Sequence, residues 1–341
     1  MTASTFRMEP IAMDDRPEVD ETPSAYKANG FRFPSLTATV PRELVHRASV
    51  AEVVLTDWRR VDDTRFVVTS QWPRCHTFFS PVAGGYHDPL IGCETIRQIG
   101  ILLGHAEFGV PLGHQFIVWD LDITVRPEHM AVGDTPAALE IDVTCSEIRW
   151  RGGSLAGLRL HTVFRRDGEV VATGGGSLSC LAPEVYRRIR GEHTLDGDWQ
   201  HLPLTSPEAP QLVGRMSPMD VVLSPTPEPH RWQLRADRRH PVLFEHAVDH
   251  VPGMVLIEAA RQATAAVLKR SSYLPLSIAN EFKRYVELDA PCLVEARLLP
   301  APQAGTDPAA AAAGLRSVLV TAVQDGVTVF SAVVTAGTHG L

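Results

Sequence analysis

The sequence predicts an α+β protein made of two copies of one domain, each an antiparallel sheet wrapped around a long central helix. The first observation is a repeat: HDPLIGCETIRQ at residues 87–98 returns as VPGMVLIEAARQ at residues 251–262. Both segments close on Glu-x-x-Arg-Gln, and the matching residues lie 164 positions apart: Glu94, Arg97 and Gln98, then Glu258, Arg261 and Gln262. So long a period indicates a duplicated domain rather than a solenoid.

Each repeat also predicts a buried helix. Apolar residues occupy nearly all faces of residues 90–108 and 254–270, and a helix with that pattern is expected to be buried. Pro89 and the Pro252-Gly253 pair stand where the two helices would begin. Because each helix nonetheless carries a carboxylate and a guanidinium, the repeat points to chemistry as well as to structure.

Strand-like runs follow each helix, with alternating apolar residues and many β-branched side chains. In the first copy they span 115–126, 137–150, 155–166 and 169–181, and in the second 276–288, 292–300, 314–324 and 328–336. A shorter strand-like segment precedes each helix, at 65–68 and 231–234. Asp-Gly pairs at 167–168 and 325–326 predict tight turns between the last two strands of each copy.

The length of 341 residues suits two domains of about 150 residues each. Each copy is expected to become ordered at a Val-x-Arg triplet, Val45–Arg47 or Val213–Arg215. An alanine-rich stretch at 308–314 is expected to lengthen a hairpin loop or to form a short exposed helix. The predicted organisation is a polar tail at 1–40, a first domain at 41–189, a linker at 190–212 and a second domain at 213–341.

Composition and charge exclude several functional classes. A net charge of −8 and a pI near 6.0 argue against nucleic-acid binding, and the one basic run, RRIR at 187–190, is short and lies beside the predicted linker. The acidic N-terminus lacks the apolar core of a signal peptide, and no apolar run reaches the length of a membrane span. The five cysteines show no paired spacing, so we expect reduced thiols in a cytoplasmic protein.

The segment FEHAVDHVPGMVLIEAARQ (244–262) resembles the active-site motif of the β-hydroxyacyl-ACP dehydratases, which are enzymes of the hotdog fold. In that family a catalytic histidine precedes a Pro-Gly pair and a helix that carries a catalytic acid. The resemblance therefore implies catalytic roles for His246 and Glu258. The spacing between them is two residues shorter here, which makes His250 a rival for the histidine position.

From about residue 45 to 338, the chain as a whole resembles the A-factor biosynthesis family of actinomycetes. The resemblance is carried by VHRASVAEVVLTDW, QWPRCHTFF and the two Glu-x-x-Arg-Gln helices in combination. It implies a γ-butyrolactone or butenolide synthase: an acyltransferase that condenses a β-ketoacyl thioester with dihydroxyacetone phosphate in the synthesis of a signalling molecule. It also implies functional roles for Glu94, Arg97, Glu258 and Arg261.

The resemblance leaves the carrier of the thioester open between an acyl carrier protein and coenzyme A. No cofactor and no metal are expected. The assembly is expected to be either a monomer whose halves form an internal pseudo-dimer or a homodimer.

The implied reaction needs a base for the hydroxyl proton and a site for the phosphate. A carboxylate in an apolar helix is expected to have a raised pKa, so Glu94 or Glu258 is the candidate base. The planar, permanently charged fork of arginine suits a phosphate, so Arg97 or Arg261 is the candidate phosphate ligand. The alternative for each pair is a structural ion pair that allows the polar groups to be buried.

The thioester carbonyl also needs a donor for its developing oxyanion. In hotdog enzymes a backbone amide at the start of the central helix commonly fills this role, which implies the neighbourhood of Gly253 or Gly92. The glutamines of the two repeats, Gln98 and Gln262, are further candidates for substrate binding.

Histidines crowd the two loops that precede the helices: His76, His87, His246 and His250. Hotdog dimers build sites across the interface, with a histidine of one unit facing the acid of the other. A fused pair would then place His246 against Glu94 and His76 against Glu258. The histidine spacing matches no compact metal motif, and no cysteine pair supports one.

Two other functional classes stay open: a dehydratase or thioesterase on the same fold, and a non-catalytic regulator that binds a lactone in an apolar tunnel. Arginine one turn after the acid argues against a typical dehydratase, whose substrate has no additional phosphate. Only the second copy has the Pro-Gly pair, since the first has Asp88-Pro89. We therefore expect Glu258 and Arg261 to carry the chemistry, with Glu94 and Arg97 positioning the phosphate or serving structure.

Overall fold

A computed structural model describes residues 27–28, 31–32, 37–197, 200–301 and 314–337. The chain separates into two compact units, Met1–Ala38 and Thr39–Leu341. In the first unit, strands β1 (Lys27–Ala28) and β2 (Phe31–Arg32) pair antiparallel. Most of the predicted tail at 1–40 lies outside the described residues, and so does the alanine-rich stretch at 308–314 apart from its last residue.

The second unit contains two similar halves, each with one long helix among antiparallel strands. The first half comprises β3 (Leu55–Arg60), β4 (Arg65–Trp72), α1 (Pro89–Ala106), β5 (Gln115–Val125), β6 (Ala137–Arg151), β7 (Ser154–Arg166) and β8 (Glu169–Leu181). A short helix, α2 (Pro183–Arg190), follows. The second half comprises β9 (Leu223–Pro225), β10 (Arg231–Leu234), α3 (Gly253–Leu268), β11 (Pro275–Phe282), β12 (Cys292–Leu298), β13 (Arg316–Gln324) and β14 (Val327–Ala336).

Within the part of the chain that the structure describes, one twelve-stranded sheet runs through both halves, in the order β3-β4-β6-β7-β8-β5-β11-β14-β13-β12-β10-β9. The halves meet where β5 pairs antiparallel with β11, with Ile123 opposite Ile278. Helix α1 packs on β5 and β8, and α3 packs on β12, β13 and β14. Buried and exposed side chains alternate along β6, because one face of the sheet lies against a helix. The predicted α+β architecture of two sheet-wrapped helices is confirmed.

The helices begin within one residue of their predicted starts, for local reasons. Asp88 caps α1 by accepting a hydrogen bond from the amide of Leu90 at 3.0 Å, and Pro89 follows at the first helical position. Helix α3 begins at Gly253 after Pro252 and has no side-chain cap. Within the described residues, no helix combines the length and the apolarity needed to cross a membrane.

Two segments differ from the sequence-based expectation. The strand predicted at 276–288 ends at Phe282, because the amides of Lys283 and Arg284 both turn to the carbonyl of Val329. The basic run at 187–190 is the last turn of α2 rather than the edge of a loose linker. Its final residue, Arg190, is buried and donates to the Glu287 carboxylate at 2.7 Å.

Candidate active site

The first Glu-x-x-Arg-Gln repeat forms a buried cluster around one carboxylate, which we call cluster one (Arg47, Glu94, Arg97, Gln98 and Glu245). Glu94 accepts hydrogen bonds from Nε and Nη2 of Arg97, both at 2.9 Å, and from Nε2 of Gln98 at 2.6 Å. It also pairs with Nη2 of Arg47 at 2.6 Å. The spacing of three residues places Arg97 on the same helical face as Glu94, so the sequence repeat specifies this contact directly.

Gln98 fixes the position of the carboxylate. Its Oε1 accepts from the amide of Val54 at 3.1 Å, while its Nε2 donates to the carbonyl of Glu52 at 2.8 Å as well as to Glu94. Gln98 is fully buried, and all of its polar atoms are engaged in these contacts. These contacts hold Gln98 against Glu94 and engage both of its polar side-chain atoms within the protein.

The second repeat builds the same arrangement, which we call cluster two (Arg215, Glu258, Arg261 and Gln262). Glu258 accepts from Nε and Nη2 of Arg261 at 2.8 and 2.7 Å, from Arg215 Nε at 2.7 Å and from Gln262 Nε2 at 2.5 Å. Gln262 repeats the role of its counterpart, with Oε1 on the amide of Val222 and Nε2 on the carbonyl of Asp220. The duplication has thus preserved a complete hydrogen-bond pattern.

The expected rise in the pKa of the two carboxyls is wrong in direction. Burial alone raises the pKa of Glu94, but Arg47 and Arg97 lower it to about 2. In the same way burial opposes Arg215 and Arg261 at Glu258, where the arginines lower the pKa to about 2. Two guanidiniums against one carboxylate decide the outcome. Both carboxylates are ionised at neutral pH and are poor proton acceptors.

Each cluster is completed by the opposite half of the molecule. In cluster one, Glu245 of the second half pairs with Nη1 of Arg47 at 3.4 Å and accepts from the amides of Ala48 and Ser49. In cluster two, Nη1 of Arg215 donates to the carbonyl of Phe78 at 2.7 Å. The same guanidinium lies over the Phe78 ring, 4.2 Å from its centroid. Arg47 and Arg215 therefore each join a cluster of the one half to a residue of the other half.

A cavity of about 670 Å³ opens beside cluster one. Its polar wall includes His46, Arg47, Arg97, Glu245, His246 and His250, and its apolar wall includes Ile96, Phe116, Leu160, Leu178, Met254 and Ile257. Arg97 is the only polar residue of α1 that is not buried, and 19% of its side chain is exposed, against 2% for Arg261. Glu258, Arg261 and Gln262 do not line this cavity.

Helix α3 contributes its first turn to the same cavity. Pro252, Gly253 and Met254 line it, and the first amides of a helix have no partner within the helix. The first turn of α1 is closed instead, since Asp88 caps it and is itself buried. Gly92 lies inside α1 against Ile123, so it is not an oxyanion candidate. One cavity thus combines the guanidinium of the first copy with the Pro-Gly helix start of the second.

The expectation was that Glu258 and Arg261 carry the chemistry, with Glu94 and Arg97 positioning the phosphate or serving structure, and the cavity bears on that division. The Pro-Gly pair does mark a helix start that faces a cavity, but the arginine of a Glu-x-x-Arg-Gln repeat on that cavity wall is Arg97, which Glu94 holds from behind, and not Arg261. The reason is the antiparallel joining of the halves, which brings the loop before α3 over α1. Cluster two is covered by the Phe78 loop, and its arginines and Glu258 are buried.

His246 does not contact Glu94 directly, as the predicted pairing required, but is linked to it through two other residues. Nδ1 of His246 contacts Glu245 at 2.8 Å, and Glu245 in turn reaches Glu94 through Arg47. The pairing of His76 with Glu258 is wrong. Nδ1 of His76 accepts from the amides of Phe78 and Phe79, and its Nε2 faces Glu52 at 3.5 Å, so the ring holds its own loop.

His250 lies on the cavity wall near the start of α3. Its Nδ1 contacts Asp249 at 2.6 Å, and its ring meets Tyr285 edge-on with centroids 4.8 Å apart. Among the residues that the structure describes, no group of three His, Cys, Asp or Glu side chains is placed to hold a metal ion.

Three residues of this site were not singled out as functional by sequence reasoning: His46, Arg47 and Glu245. A signal for Arg47 existed, because the Val-x-Arg triplet that starts each copy places an arginine at the same point before both clusters. Glu245 has no counterpart signal in the first copy, where Pro81 stands 164 residues earlier. His46 occupies the variable position of the triplet, opposite Gly214.

Comparison with known proteins agrees with this fold and this duplication. The profile of the A-factor biosynthesis hotdog domain matches residues 32–182 and again residues 200–338. The protein is therefore of the double-hotdog class. It belongs to the A-factor biosynthesis family, as the sequence resemblance predicted.

Curated relatives in this family are named 2-oxo-3-(phosphooxy)propyl 3-oxoalkanoate synthase. The chain is 53% identical to the one from Streptomyces virginiae over 305 residues, which cover 89% of this chain and 99% of the relative. It is 40% identical to the one from Streptomyces coelicolor, over 90% of this chain and 94% of the relative. Among solved structures, a putative oleoyl thioesterase from Lactobacillus plantarum aligns with a TM-score of 0.48 at 12% identity, over 80% of this chain and 96% of that chain.

Proposed function

We propose that this protein transfers a β-ketoacyl group from a thioester to the hydroxyl of dihydroxyacetone phosphate, forming the phosphorylated ester that precedes a γ-butyrolactone or butenolide signal. The names of the curated relatives, which cover nearly the whole chain, describe the synthesis of such an ester. The single observation that carries the proposal is the two-sided cavity, in which a guanidinium faces an apolar wall. This combination suits a phosphorylated acceptor beside an acyl chain.

Arg97 is the proposed phosphate ligand. Its Nε and Nη2 are held by Glu94, and Nη2 also donates to the carbonyl of Val45, whereas no described residue pairs with Nη1. Because Nε and Nη2 are fixed, Nη1 is held in one orientation and can donate to an anion in the cavity. Glu94, through its lowered pKa, keeps a permanent negative charge that orients Arg47 and Arg97.

The acyl chain is proposed to lie along the apolar wall between α1, β8 and α3. Leucine, isoleucine and phenylalanine side chains line that side of the cavity, and their burial by a fatty chain is favourable at about 25 cal/mol per Å². The thioester carbonyl would then face the first turn of α3, where the amide at Gly253 is proposed to stabilise the oxyanion. His246 and His250 flank this position as further candidates for substrate contact.

The thioester is proposed to be carried by an acyl carrier protein or by coenzyme A, with the reaction taking place in the cytoplasm. The active form is proposed to be a single chain whose halves act as an internal pseudo-dimer, or a homodimer of such chains. The two partners of the internal pseudo-dimer are proposed to be the domains at 41–189 and 213–341.

The test is reconstitution of the reaction. The purified protein is incubated with a β-ketoacyl-coenzyme A or β-ketoacyl carrier protein, with and without dihydroxyacetone phosphate, while free thiol and products are followed by absorbance and mass spectrometry. We expect thiol release that depends on dihydroxyacetone phosphate, together with a phosphorylated β-ketoacyl ester. Thiol release without the acceptor would instead indicate a thioesterase. Lactone binding with no turnover of either donor would indicate a regulator.

A further inference from the structure

Two histidines form a hydrogen-bonded pair at the wall of the cavity. Nε2 of His46 lies 2.9 Å from Nε2 of His105, and Nδ1 of His105 lies 2.7 Å from the carbonyl oxygen of Val110. His46 lines the cavity, and its ring packs edge-on against Phe116 with centroids 5.4 Å apart. The pair belongs to the first half, beside Arg97.

This chain of contacts fixes the tautomers of both rings. A carbonyl oxygen only accepts, so Nδ1 of His105 must carry a hydrogen toward Val110. Neutral His105 then has its lone pair on Nε2, which requires His46 to donate from its own Nε2. The remaining nitrogen of His46, Nδ1, therefore carries a lone pair. It has no partner among the described residues and is not among the fully buried unpaired atoms, so it is reachable from the cavity.

The backbone conformation at position 46 is one that a histidine adopts less readily than a glycine. His46 has φ 51° and ψ 55°, the left-handed conformation that favours glycine. The second copy meets the same turn with Gly214, at φ 71°, before the matching Arg215. The matching position for His105 in the second copy is Lys269, so that half contains neither member of the pair. The fold thus accepts a strained side chain in only the half that opens to the cavity.

Building on the proposed function, we propose that Nδ1 of His46 is the general base that takes the proton from the hydroxyl of the phosphorylated acceptor. As the alkoxide oxygen forms its bond to the thioester carbonyl carbon, the carbon–sulfur bond breaks. The imidazolium then returns the proton to the departing thiolate, so that ester and free thiol are the only products. His105 is a positioning residue that accepts from Nε2 of His46 and so keeps the lone pair of neutral His46 on Nδ1.

The protonation states around the pair agree with this assignment. Burial, with His105, Arg97 and His246 nearby, lowers the pKa of His46 to about 4. Burial also lowers the pKa of His105. Both rings are therefore neutral at physiological pH, whereas the Glu94 carboxylate is saturated by two arginines and cannot serve as the base.

The test uses His46→Gly, which gives the first copy the residue that the second copy already has. Because glycine suits the left-handed turn, the variant is expected to fold, and circular dichroism and thermal melting check this. Turnover is measured by thiol release and by mass analysis of the ester, with β-ketoacyl-coenzyme A saturating and dihydroxyacetone phosphate varied up to saturation. His161→Ala on β7, an exposed histidine outside the cavity, is the matched control.

We expect kcat of His46→Gly to fall by about 100-fold or more, within the range of general base catalysis, with KM for the acceptor little changed. Added imidazole is expected to restore part of the lost turnover in His46→Gly and to leave His161→Ala unaffected. A kcat within fivefold of the wild type, a loss confined to KM, or a lost kcat that imidazole does not restore would each overturn the assignment. If the wild-type protein itself forms no ester, the proposed function fails first, and the two failures are thereby distinguished.

Discussion

Clusters one and two share the hydrogen bonds that the repeat itself makes, and differ in their surroundings. In both, one carboxylate holds two arginines and is fixed by a glutamine that also ties down the preceding loop. In cluster one the guanidinium of Arg97 borders a cavity, whereas in cluster two the guanidinium of Arg261 is buried. A sequence motif therefore specifies an ion-pair geometry, while its exposure is decided by what the other half places over it.

The covering elements explain the divergence. Over cluster two, the Phe78 carbonyl and ring occupy the guanidinium of Arg215. Over cluster one, a charged side chain, Glu245, takes that place and leaves room for the cavity beside Arg97. Cluster two is therefore enclosed between the halves, whereas cluster one borders a cavity that the start of α3 also lines.

The largest expected difference is in stability. Replacement Glu258→Gln leaves Arg215 and Arg261 buried with a neutral partner, and breaking a buried pair in this way costs about 3–5 kcal/mol. Glu94→Gln is expected to cost less, because Arg47 keeps Glu245 and Arg97 borders the cavity. Urea unfolding of the two variants beside the wild type measures both losses. Equal losses would mean that cluster one is as structural as cluster two.

Next in size is the effect of Arg97 on activity. A charge-assisted hydrogen bond contributes about 1.5–3 kcal/mol, so Arg97→Gln is expected to lower kcat/KM for dihydroxyacetone phosphate by roughly 10- to 100-fold. The loss should appear in KM for the phosphorylated acceptor and not in KM for the thioester. Steady-state kinetics with each substrate varied in turn measures this. Arg149→Gln, on the exposed side of β6, is the control, and an equal effect there would remove the phosphate assignment.

These comparisons also show how far the sequence alone reaches. The two helices and nearly all strands of both halves are predicted by local patterns, because a buried helix and an alternating strand each leave a periodic signal. The Glu94–Arg97 contact is likewise local. The contacts that decide which cluster opens join distant residues: Arg47 and Glu245 lie 198 positions apart, and Arg215 and Phe78 lie 137 apart.

The pKa of the repeated carboxyl could not be predicted for the same reason. The sequence predicts that Glu94 is buried in an apolar helix, and burial alone raises the pKa of a carboxyl group. The second arginine, which reverses the sign, arrives from a turn 47 residues earlier in the chain. The make-up of the cavity could not be predicted either, because the Pro-Gly helix start and the arginine that share it belong to different halves.

In acid the two clusters are expected to behave alike. The pKa of both carboxyls is lowered from 4.5 to about 2, so their contribution to stability is complete above pH 4.5 and is lost as the pH falls toward 2. Urea midpoints between pH 5.5 and 2.5 should fall steeply for the wild type. Glu94→Gln and Glu258→Gln should each show a shallower fall. A variant that retains the full wild-type slope would show that its carboxylate does not titrate with this shift.

The smallest expected effect concerns the turn that precedes each arginine. At Gly214 the left-handed backbone disfavours any side chain, and an added Cβ would lie 3.1 Å from the Ser271 carbonyl and 3.4 Å from Nη1 of Arg261. Gly214→Ala is therefore expected to lower the unfolding free energy by about 1 kcal/mol without changing turnover. Urea unfolding measures the change in unfolding free energy, and the thiol-release assay measures the turnover. A fall in turnover at unchanged stability would mean that cluster two affects the reaction at the cavity. The assignment of the reaction to the cavity beside cluster one alone would then be wrong.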